Sequence, residues 1–181
     1  MHHARMTSSR PRSLLVTRVV AALLTALALS ACRGAQWDLP TSKEKHEFEI
    51  ATANDVAATA NLPWESEAIY AHLELFLTQH PEVFGSTYSL DPAVTGKTLA
   101  PYVYRVNGTL MRKDLTQGGY DYSHQPWFTA PIVQRQAIWS EQYFDAGGGD
   151  VEMVTYSVPV VKDGKAIGVL TADFEIVKIA R

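Results

Sequence analysis

This chain of 181 residues contains a single cysteine, Cys32, so no disulfide can form within it. It is also poor in basic residues, with 16 lysines and arginines against 19 acids. The sequence has no basic stripe of the kind that follows phosphates along a nucleic acid, so nucleic-acid binding is not expected. The P-loop, G-x-G-x-x-G, G-x-S-x-G and H-E-x-x-H patterns are lacking too, so we expect neither catalysis nor a metal or cofactor.

Long hydrophobic runs are lacking as well, apart from one near the N-terminus. Residues 1–31 carry four arginines and no acid, and their apolar run, Val19–Leu29, is about half the ~20 residues that span a bilayer. A basic start, a short apolar run and small residues before a break predict a secretory signal. The sequence LSAC, which ends at Cys32, resembles the lipobox of bacterial lipoproteins. We therefore predict a lipoprotein signal peptide over 1–31 and lipidation of Cys32; the alternative is a plain signal peptide with an incidental cysteine.

Removal of the signal peptide would leave 12 basic residues against 19 acidic ones, a formal charge of −7. The remaining length suits one domain with its own hydrophobic core. We predict a tether over residues 32–42 and a single domain over residues 43–181. Because no second apolar run is long enough to cross a bilayer, the lipid is expected to hold the protein in the cell envelope, facing the periplasm or the exterior.

Two helices are predicted at the start of the domain. Thr41-Ser42-Lys43-Glu44 fits a capping box, in which a hydroxyl and a carboxylate satisfy the free amides of a helix start, and the alanine-rich sequence after it favours a helix. Further on, helical spacing places Ile69, Leu73 and Phe76 on one stripe of a second helix. His80-Pro81 ends this helix, since proline cannot continue it.

The remainder of the domain is predicted to be an antiparallel sheet. Asn107-Gly108 and Asp163-Gly164 separate β-rich segments and are strong signals for tight hairpin turns. The segment 126–136 is predicted to be a short helical excursion. The predicted strands are 83–90, 99–106, 109–115, 137–145, 151–161 and 165–176. Two helices followed by about five to six antiparallel strands predict an α+β fold, with the N-terminal helices packed on a curved sheet.

The segments HPEVFGSTYSL, APYVYR, YDYSHQPWF, WSEQYFDAGGG, VTYSVPV and GVLTADFEI, in this order, resemble the Cache family. This family comprises the PAS-like extracytoplasmic sensor domains of bacterial receptors. The resemblance extends over residues 43–177. It implies an N-terminal helix packed on an antiparallel sheet, with a ligand held between the sheet and a lid-like segment around Trp127 and Phe128.

Within that family the chain is most similar to the members that bind amino acids, and this implies a set of ligand contacts. The corresponding aromatic and acidic positions here are Tyr120, Trp127, Phe128, Tyr143, Asp145 and Asp173. In those members the acids hold the ammonium group of the ligand and an arginine holds its carboxylate. The arginine position is Gln125 in this chain, which is the main departure from the pattern.

The chemistry of these residue types points the same way. Asp173 follows Val169 and Thr171 at a spacing of two, which places it on an otherwise apolar or neutral strand face. A carboxylate on a half-buried face needs a partner, and a cationic ligand would be one. Asp145 could supply a second negative group, and Trp127 and Phe128 could cap an ammonium group by cation–π contacts. The alternative is that both acids serve only strand ends and turns.

Gln125 leaves two ligand classes open. A glutamine amide gives only neutral hydrogen bonds, whereas arginine binds a carboxylate through a charged fork. An amine or quaternary ammonium ligand would not need that fork. An α-amino acid would need another cation, for which Arg105 and Arg135 are the candidates.

Tyr102 is predicted to fill core, like most aromatic residues on strands.

The sequence thus predicts a Cache-type sensor lipoprotein that binds an amine or amino acid. We expect it to signal through a membrane protein partner, because the sequence itself provides no recognisable output module. The alternative is an adaptor lipoprotein that keeps the fold but binds no small molecule. An enzyme is the least favoured class.

Overall fold

The structure is a computed structural model that describes residues 39–177. The predicted signal peptide, Cys32, most of the predicted tether and residues 178–181 of the predicted domain lie outside these residues. The described residues fall within one compact unit. No helix within residues 39–177 is long and apolar enough to cross a membrane.

Two helices begin the described part of the chain: α1, Ser42–Thr59, and α2, Ser66–Gln79. The predicted capping box is confirmed at the start of α1. The amide of Glu44 donates to Thr41 Oγ1 (3.3 Å), and the amide of Thr41 donates to Glu44 Oε2 (2.7 Å). The predicted stripe on α2 is confirmed as well, since Ile69, Leu73 and Phe76 are all buried.

A seven-stranded antiparallel sheet follows, with the strand order β3-β2-β1-β7-β6-β4 and with β5 also paired to β6. The strands are β1 Gly85–Leu90, β2 Pro101–Val106, β3 Thr109–Asp114, β4 Ile138–Trp139, β5 Tyr143–Phe144, β6 Glu152–Lys162 and β7 Lys165–Glu175. The long β6–β7 hairpin turns at Asp163 (φ 50°) and Gly164 (φ 75°). Positive φ at both central residues is what this turn requires, and it confirms the predicted Asp-Gly hairpin.

The prediction of one continuous strand over 137–145 is corrected. This segment forms two strands of two residues each, β4 and β5, separated by Ser140–Gln142. The Ser140 amide donates to the Thr155 carbonyl and the Ser140 hydroxyl accepts from the Thr155 amide, both at 2.9 Å. The serine side chain thereby replaces a main-chain acceptor on β6 and interrupts regular pairing. The sheet consequently has more strands than the expected five to six.

The two faces of the sheet carry different helices. On one face, α1 and α2 cover the larger core, which includes Leu73, Tyr88 and Leu170. The other face carries the short helix α4, Pro126–Gln134, and the single 3₁₀ turn before it, Tyr122–His124. A four-residue helix, α3 at Pro92–Thr95, links β1 to β2. Because side chains alternate along a strand, the central strands β1, β6 and β7 also supply the residues that face α4.

Candidate functional site

The floor of the candidate site lies on the central strands beneath α4. Asp173 on β7 pairs with Gly85 on β1 and with Thr155 on β6, and it is only 5% exposed. The hydroxyl of Thr155 donates to Asp173 Oδ1 at 2.9 Å. The predicted position of this acid on the inner face of the strand therefore agrees with the structure. It lies in the middle of the sheet, where a charge has little access to water.

The surroundings of Asp173 favour its neutral form. Burial raises the pKa of Asp173 to about 7, and the negative charge of Asp145 acts in the same direction. The hydrogen bond from Thr155 opposes them but is weaker. A large part of the Asp173 population therefore carries a proton near neutral pH in the absence of a ligand. A ligand cation that reaches this carboxyl competes with that proton.

Asp145 directly follows β5 and is held by two separate segments. Its Oδ1 accepts a hydrogen bond from the Tyr120 hydroxyl and its Oδ2 accepts one from the Gly149 amide, each at 2.9 Å. The indole Nε1 of Trp127 donates to the Tyr120 hydroxyl, also at 2.9 Å. This chain of hydrogen bonds connects α4 to the glycine-rich loop 146–150. It fixes the aromatic ring and the acid relative to each other.

Two further tyrosines, Tyr143 and Tyr102, lie near the two acids. The Tyr143 hydroxyl lies 2.9 Å from Thr155 Oγ1 and so joins the network that reaches Asp173. The Tyr102 hydroxyl is buried and makes no hydrogen bond of regular geometry with any residue in 39–177, although it lies close enough to Asp173 for the two groups to influence each other. Burial, followed by the charge of Asp173, raises the pKa of both phenols. Both hydroxyls thus stay protonated, as hydrogen-bond donors beside the acids.

Glycines make room for the Tyr102 hydroxyl. A side chain at Gly85 would collide with the tyrosine ring, and one at Gly149 would press on its hydroxyl and on Met153. The prediction that Tyr102 fills core is confirmed by its burial in the cluster beneath α4. The prediction missed the position of its hydroxyl beside Asp173, because that position is set by two glycines from distant segments.

A cavity of about 380 Å³ opens beside this network, between the start of α4 and the segment that contains β5. Its lining includes four of the residues expected at the site: Gln125, Trp127, Tyr143 and Asp145. Tyr120 is joined to the cavity wall through its hydrogen bonds to Trp127 and Asp145. Asp173 lies behind the wall and is reached through Tyr143 and Thr155. The volume suits a small organic ligand.

A larger cavity, about 570 Å³, lies on the face that carries α1, around Phe48 and Trp139. Its acidic residues are all exposed glutamates: Glu44, Glu47, Glu82 and Glu175. Within residues 39–177 the only buried carboxyls are those of Asp145, which lines the smaller cavity, and Asp173, which lies behind its wall. We therefore place the candidate site there.

The structure corrects two of the predicted contacts. Phe128 is buried against Tyr122 and Trp127, with ring centroids 5.3 and 5.9 Å away, and does not line the cavity. Its ring belongs to the buried cluster beneath α4 that also contains Tyr102 and Tyr122. Arg105 Nε donates to the Val83 carbonyl (2.9 Å) and its Nη2 donates to the Leu77 carbonyl, at the end of α2. Its guanidinium is engaged there and not at the site.

Arg135, the other candidate cation, is not brought to the site. It follows the last residue of α4 in a left-handed conformation (φ 55°) and is exposed. Lys113 was not considered from the sequence, yet its Nζ donates to the Gly148 carbonyl (2.8 Å) and lies 3.7 Å from Asp150 Oδ2. It anchors the loop whose next amide, that of Gly149, holds Asp145. The register of β2 and β3, which pairs Lys113 with Tyr102, is the signal that could have indicated it.

Replacement of Tyr120 by phenylalanine is expected to destabilise the domain by about 1–3 kcal/mol. The change removes the donor to Asp145 and the acceptor for Trp127, and leaves both partners largely buried without that hydrogen bond. Thermal denaturation of the purified chain measures the effect. Tyr104→Phe is the matched control, because within residues 39–177 the tyrosine hydroxyls that form hydrogen bonds are those of Tyr70, Tyr120, Tyr122 and Tyr143, and not that of Tyr104. Equal melting temperatures of the two variants would contradict the proposed network.

The fold and the site together define a PAS-like sensor domain, with an antiparallel sheet between helices and a small-molecule cavity under a short helix. Residues 69–181 match the sequence model of the family described as methyl-accepting chemotaxis protein-like, first PDC sensor domain, and the chain belongs to this family. The resemblance to Cache sensor domains is thereby confirmed, as is the α+β fold. No curated protein matches the chain significantly.

Solved structures show the same fold. One is the extracellular domain of soHK1S-Z6, described as a histidine kinase, with 27% identity and a TM-score of 0.63 over 89% of this chain and 63% of that one. Another is the ligand-binding domain of the Campylobacter jejuni chemoreceptor Tlp3 in complex with L-valine, with 18% identity, a TM-score of 0.57 and coverages of 72% and 52%. The same Tlp3 domain in complex with 4-methylisoleucine has 16% identity and a TM-score of 0.58, over 91% of this chain and 61% of that one. The chain therefore spans about half to two thirds of the length of these domains.

Proposed function

We propose that this protein is an extracytoplasmic sensor that binds a small organic cation, an amine or an amino acid, in the cavity between α4 and the sheet. The observation that carries the proposal is the pair of buried carboxyls, Asp145 and Asp173, beside a cavity walled by Trp127 and Tyr143. Two buried acids without a basic partner are costly in a structural role and favourable for a bound cation. The indole adds a surface on which an ammonium group is stabilised.

The relatives support a ligand that carries an ammonium group. Structures of Tlp3 are described as complexes with L-valine and with 4-methylisoleucine, both of them amino acids. In this chain Gln125 lines the cavity, while Arg105 is engaged with carbonyl groups elsewhere. The acids expected to bind the ammonium group of a ligand therefore lie at the cavity or just behind its wall. The arginine expected to bind a ligand carboxylate is replaced by Gln125. An amine fits this arrangement better than an α-amino acid.

We further propose that the protein is lipid-anchored through Cys32 and passes its signal to a membrane protein. The LSAC sequence that ends at Cys32 supports the anchor. The similarity to the extracellular domain of a described histidine kinase, and to a chemoreceptor domain, supports a signalling partner. Ligand binding between α4 and the sheet would alter the packing of the central strands, whose other face holds α1 and α2.

A thermal-shift screen tests the ligand-binding role. The purified chain is heated with primary amines, quaternary ammonium compounds, α-amino acids and small carboxylates. A ligand at 100 times its dissociation constant stabilises by about 2.7 kcal/mol, or several degrees in melting temperature for a domain of this size. We expect amines to give the shift and simple carboxylates to give none. A flat screen, combined with capture of a membrane partner by the same chain, would instead favour the adaptor function.

A further inference from the structure

The charges on the cavity wall are all of one sign. Its lining contains two acidic side chains, Glu141 and Asp145, and no lysine, arginine or histidine is among its described lining residues. The amino end of α4, at Gln125–Trp127, contributes about half a positive elementary charge. Two carboxylates outweigh that partial charge, and Asp173 lies just behind them. The cavity thus carries more negative charge than one ammonium group can balance.

Glu141 differs from the other two acids in its position. It lies in the segment between β4 and β5, four residues before Asp145, and its side chain is exposed at the rim. It takes part in no ion pair with any residue in the range 39–177. Asp145 lines the same cavity but is buried. The remaining lining residues are uncharged and include Pro126, Trp127 and Tyr143.

A buried acid and an exposed acid in one cavity, with an indole and a phenol in the same wall, match a chain of methylenes with an ammonium group at each end. We propose that the ligand of this site is an α,ω-diamine, with one ammonium group at the buried acids and the second at Glu141. The methylenes lie against Trp127 and Tyr143. This inference rests on the proposed function and adds to it the class of ligand and the residue, Glu141, that binds the second ammonium group.

The same charges act against other ligands. The carboxylate of an amino acid would share the cavity with the carboxylates of Glu141 and Asp145, and these like charges would repel one another. A monoamine satisfies the buried acids but leaves Glu141 without a partner. Because Glu141 is exposed, its contribution is that of a partly solvated ion pair, which we expect to be worth about twofold to fivefold in affinity.

Three probes of equal carbon number test the inference by isothermal titration of the full chain at pH 8. They are putrescine, n-butylamine and γ-aminobutyrate, which differ only in the group at the far end. We expect putrescine to bind about twofold to fivefold more tightly than butylamine, and γ-aminobutyrate to bind most weakly. Glu141→Gln should weaken putrescine more than butylamine and so remove the advantage of putrescine. Glu65→Gln, at an exposed glutamate away from the cavity, is the control and should change neither.

The outcomes separate this inference from the proposed function. If putrescine and butylamine bind equally, or if Glu141→Gln weakens both to the same extent, the diamine inference is overturned while amine binding stands. Tightest binding of γ-aminobutyrate would also overturn it, and would indicate that the amino end of α4 holds a carboxylate. If none of the probes binds and the wider amine screen is flat as well, the proposed function itself fails.

Discussion

Replacement of Asp173 by asparagine is expected to weaken amine binding and, at the same time, to stabilise the ligand-free domain at pH 8. Asp173 lies behind the cavity wall and is joined to it through Tyr143 and Thr155, so its charge acts on a bound ammonium group at a distance, and we expect its loss to cost about tenfold or more in affinity. In the ligand-free domain the ionised carboxylate of Asp173 destabilises the fold, because it is buried near the negative charge of Asp145. The asparagine carbonyl can still accept the hydrogen bond from Thr155. Titration calorimetry and denaturation measure the two effects.

The stabilisation should depend on pH in a defined direction. The pKa of Asp173 is raised from 3.8 to about 7 in the folded chain, so its contribution to stability is fully present below pH 3.8 and is lost as the pH rises through 7. The shift corresponds to at most about 4 kcal/mol. We therefore expect Asp173→Asn to be more stable than the parent at pH 8, and the difference to disappear near pH 4. Ligand affinity of the parent should fall below pH 7, since the proton competes with the cation.

Asp163→Asn is the control for both measurements. Asp163 is exposed in the β6–β7 turn with a positive φ, a conformation that asparagine also adopts. This substitution removes one negative charge from the same sheet and should change neither affinity nor the pH dependence of stability. If Asp173→Asn were less stable than the parent at pH 8, or bound amines as tightly, Asp173 would be a structural residue and not the partner of a cation.

Local rules predicted much of this fold. The capping box at Thr41 and the Asp163-Gly164 hairpin each depend on residues that are close in sequence, and both are present. The inner position of Asp173 followed from the period of two along β7, which holds where the strand is regular. The break between β4 and β5 could not be predicted, because it depends on a serine that bonds to a residue on β6, 15 positions further along the chain.

The candidate site was predictable in composition but not in arrangement. Arg105 was a reasonable cation for a carboxylate, yet the end of α2 presents carbonyl groups that its guanidinium binds instead. That choice depends on how a helix packs against a strand, which the sequence pattern does not encode. Glu141 was overlooked because its segment was predicted to be regular strand. In the structure this segment leaves the sheet between β4 and β5 and forms part of the cavity wall.

Replacement of Phe48 by alanine is expected to be the most destabilising single change in α1. Within this helix only Phe48, Thr52 and Thr59 are buried, so the phenyl ring provides most of its apolar contact with the sheet. The ring packs edge-on against five other aromatic rings at centroid distances of 5.0–6.5 Å: Phe76, His80, Trp139, Tyr156 and Phe174. Removal of a buried phenylalanine costs about 3–5 kcal/mol. For a domain of this size we expect a fall of about 10 °C in melting temperature.

Ile50→Ala is the matched control, because Ile50 lies on the same helix, two residues away, and is 66% exposed. Its replacement should change stability by about 0.5 kcal/mol or less. If both variants melted at the same temperature, α1 would not be held by Phe48. Because the ligand cavity lies on the opposite face of the sheet, folded Phe48→Ala protein should bind amines with unchanged affinity at low temperature. Retained affinity together with a lower melting temperature would show that anchoring of α1 and recognition of the ligand are separate tasks, performed by the two faces of one sheet.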